Sequence, residues 1–231
     1  MQPVTIDRPL TFEVLGRDEQ LELPNFDLVI AGYTGRDEAS VKKHIDELAA
    51  IGVPPPASVP AFYELDAALV TQSSMIQVTG TNTSGEVEPV LVRASGRLYL
   101  AVGSDHTDRD IERDSVAESK AACPKPISTM LLDLAAVESV DWDSIVGRCI
   151  IDGVEYQSGL LSALRVPTEV LSLYDTYRGT TGKPDVVMYG GTLPLVDGKF
   201  VPGTDWTMSL TLANGAVLKH AYATSVLGNS L

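Results

Sequence analysis

The sequence predicts a mixed α+β fold in which strands predominate, and three observations carry that reading. Short apolar runs bounded by glycine, proline or asparagine turns recur along most of the chain. One segment, residues 37–50, has a clear helical period, with Val41, Ile45 and Leu48 at i, i+4 and i+7. Helical segments between the strands are too few for a doubly wound α/β sheet.

In chain order, residues 10–15 and 21–23 read as a hairpin around Gly16-Arg17-Asp18, and residues 26–31 as a strand ending at Gly32. The helix over 37–50 has acids early and Gly52 just past its end. Pro54-Pro55-Pro56 then forces an extended linker, which divides an N-terminal segment, 1–55, from a main body, 56–231. Residues 74–78 form a strand that leads through a loop, 80–85, into a longer strand starting at Glu86. A strand over 98–102 follows and runs through Gly103-Ser104-Asp105 into a helix. Residues 129–137 read as a helix covering the core, and 148–157 as a hairpin turning at Asp152-Gly153, with Gln157 read as a hydrogen-bonded surface residue ahead of the alternative that it points toward the site. A short helix over 167–177 has Thr168 at N1 or the N-cap, and a strand over 185–189 ends in Gly190-Gly191-Thr192-Leu193-Pro194, most simply a tight turn. Strands over 206–212 and 217–223 flank Asn214-Gly215, a strong hairpin signal, and His220 on the second is structural.

Composition narrows the function. A chain of 231 residues with 44% hydrophobic content can bury a sizeable core. Its net charge of -14 argues against nucleic acid or an anionic membrane as partner, because the electrostatic term would repel. The two cysteines, Cys123 and Cys149, lack zinc-type spacing. The N-terminus lacks the pattern of a signal peptide, and no apolar run approaches the roughly 20 residues that cross a bilayer. The default compartment is the reducing cytoplasm.

The chemistry concentrates between Gly85 and Pro124. Side chains alternate along a strand, so Glu86 and Glu88 share a face with Val90 and Val92, while Val87 and Leu91 lie on the other. A strand apolar on both faces belongs inside a core, and buried carboxylates are costly unless paired, protonated or bound to a cation. If the turn brings Asp105 to the pair, three hard oxygen ligands converge, a site suited to magnesium, manganese or calcium. The plainer reading is a solvated strand face, with Asp105 capping a helix and Pro89 marking an edge strand or bulge. His44 and Glu47 share a face of the first helix and could act as a base and its orienter, but their neighbours Lys42, Lys43 and Asp46 favour a merely solvated face.

Three motifs in this order resemble the fumarylacetoacetate hydrolase superfamily. They are Glu86-Val87-Glu88, then Asp105-His106-Thr107-Asp108-Arg109-Asp110, then Lys120 ahead of Cys123-Pro124. Residues 61–70 resemble a further segment of that superfamily, with Glu64 and Leu65 standing where its pattern has lysine and proline. The Gly190–Pro194 segment resembles its Thr-Gly-Thr-Pro loop. The chain is similar above all to a bacterial group of unassigned function within the superfamily.

The resemblance implies a rolled mixed β-sheet sandwich with Glu86, Glu88 and Asp105 as ligands of Mg2+ or Mn2+, Ca2+ being the alternative. It makes Lys120 the cation beside the substrate oxygen, His44 and Glu47 a water-activating pair on an N-terminal lid, and Arg109, Gly191 and Thr192 substrate contacts. The implied partner is a small-molecule carboxylic acid, and the implied assembly a homodimer. The implied activity is metal-dependent hydrolysis of a C–C bond in a small 2-oxo or β-diketo acid through a metal-stabilised enolate. A decarboxylase, an isomerase and a non-catalytic ligand-binding protein on the same fold are the alternatives.

Overall fold

Alternating apolar residues near the N-terminus form the hairpin expected of them: β1 (Leu10–Val14) and β2 (Gln20–Leu23) pair antiparallel. The structure is a computed structural model, and it describes residues 9–50, 54–136, 140–179 and 182–228. β3 (Asp27–Gly32) leads into α1 (Glu38–Ala50), and β4 (Ala61–Leu65) returns to pair with β3. Three short strands follow, β5 (Val70–Thr71), β6 (Met75–Val78) and β7 (Thr83–Ser84). The long antiparallel pair β8 (Val87–Ala94) and β9 (Arg97–Ser104) comes next. Beyond it lie β10 (Thr107–Asp108), α2 (Val116–Ala121), β11 (Lys125–Pro126) and β12 (Met130–Asp133). The last third holds β13 (Val146–Ile151), β14 (Val154–Leu160), α3 (Pro167–Arg178), β15 (Val186–Tyr189), β16 (Asp205–Thr211) and β17 (Val217–Val226).

Two mixed sheets organise these elements. The larger has the order β2-β1-β12-β9-β8-β15-β3-β4, and the smaller β14-β13-β16-β17-β6. Strands from both sides of Pro54–Pro56 therefore lie in one sheet. β8 divides its side chains as the alternation required. Val87 and Leu91 join the core shared with Trp206, Met208 and Leu210 of the smaller sheet. Val90 and Val92 face a second cluster with Phe12, Leu28, Ile30, Tyr99 and Tyr189. Residues from both ends of the larger sheet meet in that second cluster, so the sheet curls over it. Each such aliphatic or aromatic side chain contributes roughly 1.5–3 kcal/mol of transfer free energy when fully buried.

Four expectations need correction. Residues 130–133, read as part of a helix over 129–137, form β12, and Leu134–Ala136 make one 3-10 turn; Val137 lies outside the described residues. The apolar run is too short to fix its own period, and pairing with β1 and β9 decides it. Pro89 does not mark an edge, because β8 lies between β9 and β15. Its carbonyl accepts from Gly190 N at 2.9 Å, so its missing donor points past the end of β15, where no ladder bond is lost. The segment after Asp105 is not one helix but β10, a 3-10 turn and α2, which Ser115 caps through its side chain. α3 starts at Pro167 in N1, with Val166 as the N-cap residue, so Thr168 caps nothing. Among the described residues no helix is long and apolar enough to cross a membrane.

Candidate active site

The β8–β9 register builds the site. Glu88 lies opposite Gly103 and Val87 opposite Ser104, and Asp105 N bonds Glu86 O at 3.2 Å, continuing the ladder one step. Glu86, Glu88 and Asp105 thus share one end of the hairpin. One carboxylate oxygen of each lies within 4.8 Å of the others, and the residues are only 8%, 2% and 0% exposed.

Each acid has a different set of neighbours. Glu86 pairs with Arg109 Nη2 at 3.1 Å, and Glu88 Oε2 accepts from Gly191 N at 2.8 Å. Lys120 donates to Asp105 Oδ2, while Lys125 Nζ lies 2.9 Å from Oδ1 without lining up for a hydrogen bond. Burial raises the Glu86 carboxyl, against the pull of Arg109, and raises Glu88 further, with repulsion from Asp105 adding to it. For Asp105 burial acts the same way, but Lys120 and Lys125 outweigh it and hold the carboxyl well below its usual range. Burial also lowers Lys120, yet Asp105 and Glu86 more than reverse the effect. On Lys125 burial prevails and the ammonium is lowered.

The surrounding residues fix this arrangement. Gln157, expected at the surface, is fully buried. Its carbonyl accepts from Val87 N at 2.8 Å, and its amide donates to Thr192 Oγ1 at 2.9 Å and Leu193 O at 2.6 Å. A single side chain thereby ties the 190–194 loop to β8. The Thr192 hydroxyl donates to Val87 O at 2.9 Å, so it is committed to the loop. Gly191 has φ of 100°, and a Cβ there would come within 1.7 Å of Thr34 Oγ1. The Arg109 guanidinium donates to Ser84 Oγ and to Glu112 at 2.7 and 2.8 Å and lies 3.7 Å from the Phe200 ring centre. Beneath the site His106 bonds Tyr222 and Thr83 through its two ring nitrogens, both at 2.9 Å, and burial lowers it to about 3, a neutral imidazole.

His44 and Glu47 lie on an exposed stretch of α1. Glu47 pairs with Lys43 at 3.5 Å, and the His44 ring lies 6.3 Å from that of Tyr33. Of the face expected to be apolar, Val41 and Ile45 are half-buried; the Leu48 side chain lies outside what is described.

Sequence reasoning missed Lys125, Tyr33, Tyr63 and Glu112. Tyr33 and Tyr63 are half-buried within reach of the Lys120 and Glu112 charges, and burial pushes the Tyr63 phenol up to about 12. Tyr63 was legible in part: Phe62 and Glu64 turn the other way, toward Tyr174. Lys125 had a signal as well, a lone charge between two prolines beside an apolar stretch. Two open surface depressions among the described residues lie away from Glu86, Glu88 and Asp105; one includes Thr83, Asp152 and Thr204, the other Glu13, Arg17 and Met130.

Three buried acids from a strand end and its partner loop, all hard oxygen donors, fit a divalent cation of the magnesium or calcium kind. The raised Glu86 and Glu88 carboxyls show that the basic neighbours do not fully offset burial, which a cation would do. With the curled mixed sheets, this is the fold of the fumarylacetoacetate hydrolase family. The chain itself belongs to the family described as "Protein of unknown function (DUF2848)", whose model matches residues 31–222.

Solved structures agree on the fold. A protein provisionally described as a fumarylpyruvate hydrolase from Burkholderia cenocepacia is 15% identical, with 98% of each chain covered and a TM-score of 0.64. The 2-hydroxyhepta-2,4-diene-1,7-dioate isomerase from Mycobacterium marinum is 15% identical over 93% of this chain and 83% of that one, with a TM-score of 0.61. The 5-carboxymethyl-2-hydroxymuconate delta-isomerase from Mycobacterium smegmatis is 15% identical over 92% and 87%, with a TM-score of 0.59. At this identity the likeness is one of fold. No curated protein matches the sequence.

Proposed function

We propose that this chain is a divalent-metal-dependent enzyme acting on a small 2-oxo acid, with hydrolysis of a C–C bond in a β-diketo acid as the first reading. The observation that carries it is the meeting of Glu86, Glu88 and Asp105 with Lys120. Bound there, magnesium or manganese supplies Lewis-acid polarisation for the keto and carboxylate oxygens of such a substrate.

The chain's own groups do the rest. The Lys120 ammonium faces the charge that develops on the substrate's keto oxygen as the neighbouring bond breaks. Gly191, whose N–H holds Glu88, and Thr192 shape the loop beside which the substrate carboxylate would lie, while Arg109 holds Glu86 in place. Tyr33 and Tyr63 offer phenolic donors at the rim. In this reading α1 is a movable lid: it swings inward, and His44, oriented by Glu47, takes the proton of the attacking water. The homodimer expected of such a protein goes with the reading, and light scattering tests it.

A second reading is isomerisation, since two of the similar structures carry isomerase names. It needs the same stabilised enolate and no water, so an exposed His44 is compatible with it. The test is turnover of acylpyruvates, of oxaloacetate and of a 2-hydroxy-diene dioate with and without manganese. Acylpyruvate cleavage that needs the metal and is lost in Glu86→Ala supports hydrolysis, and diene isomerisation alone supports the second reading. Metal binding without any turnover would return the chain to a ligand-binding role.

A further inference from the structure

We propose that Lys120 and an incoming divalent cation exchange places on Asp105, while Lys125 remains as a fixed counter-charge on the other oxygen. This rests on the metal reading above and adds to it a coupling between filling the site and freeing its lysine.

The two lysines are held in different ways. Lys125 is fully buried on β11, and its Nζ donates to His106 O at 2.5 Å while lying 2.9 Å from Asp105 Oδ1. Its carbonyl accepts from the Tyr189 hydroxyl at 2.9 Å, and β11 pairs in parallel with β5. The ammonium is enclosed between His106 O and Asp105, on a strand held by β5 and Tyr189.

Lys120 sits on α2, a helix of only six residues, at the rim of the cluster. Among the described residues its ammonium has one partner, Asp105 Oδ2, and its side chain is 9% exposed, against 0% for Lys125. One contact and a short helix are the marks of a group that can leave.

Charge makes the departure necessary. Arg109 already accompanies Glu86, and Lys120 and Lys125 both pair with Asp105. A dication joining the three acids cannot share Asp105 Oδ2 with an ammonium group, because like charges at contact in a buried site repel strongly. Lys125 keeps Asp105 aimed while Oδ2 changes partner. The freed Lys120 amine then meets substrate only when the site is filled, which ties the donor to a loaded enzyme.

The experiment uses the full chain in two arms. Calorimetric titration with manganese compares wild type with Lys120→Gln; removing the competing ammonium should tighten binding about tenfold, or 1.4 kcal/mol. Acetylation of lysines in the native wild-type protein, read by mass spectrometry, should show Lys120 labelled faster once manganese saturates the site, and Lys125 protected throughout. Manganese that binds wild type without speeding Lys120 labelling overturns the exchange, as does a Lys120→Gln variant that binds equally or more weakly. Labelling of Lys125 at the rate of a surface lysine overturns its fixed role. Wild type that binds no manganese overturns the metal reading itself, and the exchange with it.

Discussion

At Glu88 the cost of burying a carboxylate is plain. Its side chain is nearly inaccessible, its one backbone donor is Gly191 N, and burial raises its carboxyl far above the ordinary range. A neutral isostere there removes the cost of burying that charge. Glu88→Gln should keep or slightly raise the thermal midpoint of the metal-free protein. It should also weaken manganese binding by more than the roughly 10–100-fold typical of an outer-sphere change. Calorimetry and a melting curve read the two effects separately. Tyr222 gives a contrasting case, since its hydroxyl meets both Ser104 Oγ and His106 Nδ1 at 2.9 Å. Tyr222→Phe leaves His106 Nδ1 unpartnered and Ser104 Oγ with only Glu86 N, and should cost about 1–3 kcal/mol in urea unfolding. Neither bond was legible in the sequence, because Tyr222 and Ser104 are 118 residues apart and only the packing of the two sheets joins them.

At the scale of elements, the β8–β9 hairpin and the 190–194 loop form one unit. Gly191→Ala puts a methyl group where Thr34 Oγ1 stands and strains a φ of 100°. The substitution should cost about 2 kcal/mol or more and lower the melting midpoint by about 4–8 °C. Differential scanning calorimetry checks it. A second unit joins the β1–β2 turn to β9 and β12 through Asp133, which lies 3.0 Å from Arg17 and 2.7 Å from Arg97. Burial opposes the charge on Asp133, but its bonds to Arg97 and Ala135 N lower the carboxyl overall. A carboxyl with a depressed folded value stabilises above its unfolded value, near pH 4, and loses that contribution as pH falls through the folded one. Wild type should therefore lose stability below about pH 4 more steeply than Asp133→Asn, as acid titration followed by circular dichroism will show. Turns were the easiest elements to read, because their chemistry is local: Asp152 and Gly153 adopt φ of 48° and 82°, as a tight hairpin requires. The strand at 130–133 was not legible, because its period is set by partners far away in sequence.

Taken whole, the molecule carries -14 charges around a site built for a cation. Its field draws divalent ions inward, and salt screens that attraction as the Debye length falls from about 30 Å at 0.01 M to about 8 Å at 0.15 M. Manganese affinity should decline over that range, and titrations at the two ionic strengths test it. The curled sheets could be anticipated from strand content and motif order, and alternation placed Glu86 and Glu88 on one face, whereas the approach of Asp105 was implied only by the motif resemblance and is set by the β8–β9 register. Lys125, Tyr33 and Tyr63 reach the same place through β11, β3 and β4, and no local pattern announces where those strands pack.

Anomalous scattering from a crystal soaked with manganese and oxalate is the decisive measurement. One strong peak is expected, with an oxygen of each of Glu86, Glu88 and Asp105 within coordination distance. A peak elsewhere, or none at this cluster under saturating manganese, would contradict a metal centre there.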